Sequence, residues 1–78
     1  MPVHNLDVVV LNEDLPVHGL KNGDIGTVVE VYAPDALEVE FVTGSGRTQA
    51  LVTLPPSAVR EVGDNDLVSV RPVTSHDT

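Results

Sequence analysis

The stretch Lys21-Asn22-Gly23-Asp24-Ile25-Gly26-Thr27-Val28-Val29-Glu30-Val31-Tyr32 decides how this chain is read. Asn22-Gly23 is a turn signal, because both residues tolerate positive φ. Thr27 to Tyr32 is rich in β-branched residues and predicts the strongest strand in the chain. Gly26 inside that pattern implies a bulge or a close approach of the backbone to a neighbour. A sharp bend there is what a small barrel needs in order to close.

Downstream, Ala33-Pro34-Asp35-Ala36 reads as a turn with Pro34 at its second position. Leu37-Glu38-Val39-Glu40-Phe41-Val42 alternates, with Leu37, Val39 and Phe41 on one face and Glu38 and Glu40 on the other. Thr43-Gly44-Ser45-Gly46-Arg47 is a Gly-rich hairpin loop. Thr48 to Leu54 returns as a strand with two open registers. Either Ala50, Val52 and Leu54 point inward, the slightly favoured set, or Leu51 does, with Gln49 and Thr53. Pro55-Pro56-Ser57-Ala58 cannot continue a central strand and fits a single 3-10 turn. Val59-Arg60-Glu61-Val62 then forms a short last strand.

Upstream, Leu6-Asp7-Val8-Val9-Val10-Leu11 predicts a first strand buried on much of both sides. The loop from Asn12 to Lys21 holds Pro16 and Gly19, and Leu15, Val17 and Leu20 are placed to pin it to the barrel mouth. Gly19, Gly23, Gly26 and Gly46 are the structural turn and bend positions. No apolar period of 3.6 residues runs through any window of about 11 residues, which argues against a long helix. The fold class is therefore all-β: a small five-stranded barrel of SH3-like type over residues 1–62. Residues 63–78 form a C-terminal extension, an extra strand followed by a disordered tail.

Composition narrows the function. A chain of 78 residues makes one domain with a small core. There is no cysteine, so disulfides and cysteine-based zinc sites are excluded. The net charge is −8, with Lys21, Arg47, Arg60 and Arg71 scattered along the chain. Nucleic-acid binding depends on clustered Lys and Arg that neutralise phosphates, so it is not expected here. An acidic surface favours solubility and rapid encounter with basic partners. Met1 to Asp7 lacks a basic region and an apolar run, so no signal peptide is read there, and no window is long enough to span a membrane. A cytoplasmic protein is the expectation.

Four motifs, Leu6-Asp7-Val8-Val9-Val10-Leu11, His18-Gly19-Leu20, Gly23-Asp24-Ile25-Gly26-Thr27-Val28-Val29 and Glu38-Val39-Glu40-Phe41, occur in that order. In this the chain resembles a family of small bacterial proteins known only as a domain of unknown function. The likeness runs from about Leu6 to Val62 and leaves out the tail from Gly63. The resemblance implies an SH3-like barrel that accompanies small toxin-like proteins, and hence an antitoxin or immunity-type role. The Gly-Asp-Ile-Gly-Thr-Val segment also resembles KOW-type barrels, which implies a nucleic-acid- or transcription-associated accessory role. It likewise resembles the SH3-like domains of nitrile hydratase subunits, which implies an assembly role. A shared barrel says little about a shared role.

Glu30, Glu38 and Glu40 stand out as candidate partner-binding residues. If their two strands form a hairpin, all three can lie on one outer face. Like charges opposed in a sheet are destabilising by up to about 1 kcal/mol, so such a face is suited to a cationic guest. A solvated, aggregation-resistant face is the plainer alternative. Glu13, Asp14 and His18 in the loop join the candidate partner-binding set.

His4, His18 and His76 are not spaced to share a metal, and no metal or other cofactor is expected. Gly44-Ser45-Gly46-Arg47 lacks the pattern and the helix of a phosphate loop. Ser45, Ser57, Ser69 and Ser75 have no histidine in an evident framework, and a barrel this small has no substrate cavity, so no catalysis is expected. Leu67-Val68-Ser69-Val70-Arg71-Pro72-Val73 retains apolar alternation. It reads equally as a sixth strand or as an arm that builds a homodimer by strand addition.

Overall fold

The structure, a computed structural model, describes residues 3–73. Five strands form one antiparallel sheet: β1 (Val8–Leu11), β2 (Ile25–Tyr32), β3 (Ala36–Val42), β4 (Thr48–Leu54) and β5 (Val59–Glu61). Their order across the sheet is β4-β3-β2-β1-β5. Single 3-10 turns occupy Pro16–His18 and Pro56–Ala58, and there is no α-helix among the described residues. No helix of the described residues is long and apolar enough to cross a membrane.

The expectation of a closed barrel is met only in part. Strand β5 pairs with β1 and not with β4, so the sheet stays open between its two end strands. Pro55 and Pro56 end β4 because neither can donate to a ladder. The three residues of β5 are then used along β1.

The core is aliphatic with one aromatic ring. Val9, Leu11, Leu20, Val28, Leu37, Val39, Phe41, Ala50, Leu54, Ala58 and Val59 form one buried cluster, with no buried polar side chain among the described residues. Of the two registers open for β4, the one with Ala50, Val52 and Leu54 inward is adopted, and Leu51 is half exposed. Gly26 is regularly paired with Val9, so the expected bulge is not at this glycine. The close approach is there instead: a Cβ on Gly26 would sit 2.6 Å from Val39 and 2.8 Å from Phe41.

The bulge lies three residues further on. Val28 pairs with Val39 but Glu30 pairs with Glu38, so Val29 is the extra residue of β2. Before it, Gly26 and Val28 face the core; after it, Val31 pairs with inward-facing Leu37. A straight ladder would have turned Glu30 inward. The bulge keeps that carboxylate in water.

Two sequence expectations shift at the edges. The first strand starts at Val8, because Leu6 takes a left-handed conformation (φ 71°) in a turn. In that turn the Asp7 amide donates to the His4 carbonyl, and the His4 amide donates to the Asp7 carboxylate. Val17 does not pin the loop: the 3-10 turn points it outward at 92% exposure, while Leu15 and Leu20 pack inward.

Residues 63–73 contain no strand. They form an arm fixed at two points. Arg60 grips Asp66 through both nitrogens (2.7 and 3.0 Å), and Asp66 also accepts the Gly63 amide at 2.6 Å. Arg71 grips Asp24 in the same two-pronged way (2.8 and 2.6 Å) and donates to the Gly19 carbonyl at 3.0 Å. The proposed disorder of residues 74–78, with Ser75 and His76, lies outside the described residues.

Candidate functional site

Register places the candidate carboxylates. Glu30 stands directly opposite Glu38, and Thr53 follows on β4. One step along the outer face, Val8, Thr27, Glu40 and Leu51 form a second row across four strands. The sheet thus brings Glu30, Glu38 and Glu40 onto one side, as alternation in β3 predicts. Val8, Val42 and Leu51, each about half exposed, border them.

Two of the three carboxylates are held by neutral donors. The Tyr32 hydroxyl donates to Glu38 Oε1 at 2.9 Å, and the Thr48 hydroxyl donates to Glu40 Oε2. Hydroxyl donors orient a carboxylate without cancelling its charge. The hydrogen bond to Glu38, with burial and the charges of Glu38 and Glu30, pushes the Tyr32 phenol above its ordinary value. Among the described residues the salt bridges are Arg60–Asp66 and Arg71–Asp24, His4 Nδ1 lies 3.7 Å from the Asp7 carboxylate, and none of these reaches the three glutamates.

The loop candidates are elsewhere. Glu13, Asp14 and His18 belong to the connection that enters β2 at Ile25. Glu30 lies five residues along that strand, about 16 Å away at the usual rise per residue. The Asp14 carboxylate accepts the Asn22 amide at 2.8 Å, and the His18 carbonyl accepts from the Gln49 side chain at 3.2 Å. These contacts shape the loop. Gly19 and Gly23 take φ of 71° and 98° there, as turn positions require, and Gly46 closes the β3–β4 hairpin with φ 85°. No group of three or more His, Asp or Glu side chains among the described residues is placed to hold a metal.

The sequence reading missed the arm's two clamps. At Asp24 burial raises the carboxyl pKa, but the Arg71 hydrogen bond, the Lys21 amide and the nearby positive charges outweigh it and hold the group below its ordinary value. Asp66 is held down to about 2 by the Arg60 hydrogen bond and the Gly63 amide. Composition alone makes it expected that the few arginines find acidic partners, but not which ones.

No curated protein and no solved structure matches this chain. One family model does, over residues 5–61, which takes in all five strands, the turn at Asn22-Gly23 and the three glutamates and stops before the arm. The chain belongs to the family described as Domain of unknown function (DUF4926).

Proposed function

We propose that this chain is a non-catalytic protein-binding module that receives a basic protein partner on the outer face of β2 and β3. The observation that carries this reading is the pairing of Glu30 with Glu38, with Glu40 on the same face and no salt bridge among the described residues reaching any of the three. The fold maintains like charges side by side at a cost to itself. A cationic partner converts that cost into attraction and speeds encounter.

The strand order, with a 3-10 turn before β5, supports reading the sheet as an SH3-like barrel. The resemblance to companions of bacterial toxin-like proteins makes an antitoxin or immunity-type partner of a basic toxin the favoured role. Occlusion would be steric and electrostatic. A bacterial cytoplasmic setting belongs to the same reading, since a chain without cysteine needs no oxidising compartment.

The test is a pull-down of the native chain followed by kinetics on the captured basic partner. Glu38→Lys with Glu40→Lys is expected to slow association at least about tenfold and flatten its dependence on salt. An association rate and salt slope equal to those of the native chain would remove this face from the mechanism.

A further inference from the structure

Two unpaired elements lie next to each other on this chain. The first is residues 67–70 of the arm. Leu67, Val68 and Val70 are 95%, 71% and 97% exposed. Among the described residues no backbone group of residues 67–70 makes a hydrogen bond within the chain outside regular ladders, and no ladder includes them. The Arg60–Asp66 and Arg71–Asp24 clamps hold the segment at both ends. Its conformational entropy is therefore partly removed before any partner arrives.

The second element is the free edge of β4. This strand hydrogen-bonds on one side only, to β3. An edge strand is normally guarded by charge, proline or a bulge. Thr48-Gln49-Ala50-Leu51-Val52-Thr53-Leu54 has no charge and no proline, and its register shift lies near its start. Ala50 to Leu54 is left as a regular, unguarded edge.

The geometry points to a second copy of this chain as the occupant: residues 67–70 of each copy add as a strand to the β4 edge of the other, around a two-fold axis. Three observations favour this occupant. Two-fold pairing needs donor and acceptor in one continuous patch. They adjoin here, since Gln49 at the start of β4 and Ser69 and Val70 of the arm line one open surface hollow. Both segments are uncharged, so two chains of net charge −8 would meet where neither carries acid. The arm segment has four residues, the length of β1 and one more than β5. The β4 edge adjoins the acidic face at Leu51 and Thr53, but the proposal does not rest on a partner being bound there.

Sedimentation velocity on the full chain tests it, from about 10 μM to about 1 mM, a range that brackets ordinary self-association. The native chain is expected to dimerise, with the dimer unchanged or strengthened as salt rises. Leu67→Asp with Val70→Asp, or Leu51→Lys alone, should each weaken the dimer at least about tenfold while circular dichroism shows a folded sheet. Mixing the two variants should restore dimers, because the native arm of one meets the native edge of the other. A native chain that stays monomeric, or an arm variant that dimerises like the native chain, would overturn the proposal. So would a mixture that fails to associate, or a dimer that dissolves in salt.

Discussion

In the β2–β3 hairpin, Val28, Val39 and Phe41 are sealed from solvent, and no charged side chain enters the packing around them. In the arm, Leu67 and Val70 stand almost wholly in water, and two Arg–Asp pairs hold the backbone. One region is fixed by excluded water and tight contact, the other by hydrogen bonds between charges. Packing of the first kind is cooperative and indifferent to pH. Clamps of the second kind are local, so they can open while the sheet stays intact.

The largest expected effect breaks the hairpin. Truncating a buried Phe costs about 3–5 kcal/mol, which equals what a single core of this size supplies. Phe41→Ala should leave the chain unfolded or nearly so at 25 °C. Gly26→Ala adds a Cβ where Val39 and Phe41 already stand and should cost about 1–3 kcal/mol. Urea unfolding measures both. A Gly26→Ala chain as stable as the native one would mean the hairpin packs less tightly than it looks.

A smaller effect isolates the arm. Arg71→Gln removes the clamp at Asp24 and the bond to the Gly19 carbonyl. In dilute solution, 15N relaxation should show order parameters of residues 67–73 falling below about 0.6. The unfolding midpoint should move far less than for Phe41→Ala. Loss of the whole sheet in this variant would erase the contrast between the regions.

The mildest perturbation is acid. Asp66 has a folded-state value of about 2 against an ordinary 3.8, and Asp24 is lowered as well. A carboxyl whose folded value is depressed stabilises fully above its unfolded value, and that contribution disappears as pH falls through the folded one. Arm resonances should therefore shift between about pH 4 and pH 2 while core methyl resonances hold. An arm still docked below that window would mean something other than the two aspartates retains it.

The same contrast explains what could be read from the sequence. Alternation in Leu37-Glu38-Val39-Glu40-Phe41 gave away β3 and its two faces, because burial enforces a period of two. Pro55-Pro56 gave away the end of β4 for want of donors. Gly26 announced a close contact, but its neighbours could equally have meant a bulge, and the bulge fell at Val29 instead. The Arg71–Asp24 clamp joins residues 47 apart. No local pattern encodes such a pair, since one arginine and many carboxylates leave its choice open. Alternation at Leu67 to Val73 suited a sixth strand and an extended arm equally, and these residues join no ladder within the chain.

Val29 carries one last consequence. Because a single spare residue is absorbed there, strand length and facing are uncoupled at that point: a chain shorter by Val29 alone would pair Val28, Glu30 and Val31 without interruption and present the same two surfaces. The negative patch is thus a matter of parity. Its sign is written in glutamates, but the side on which Glu30 joins them is set by whether the spare residue is left out of the ladder or counted in it.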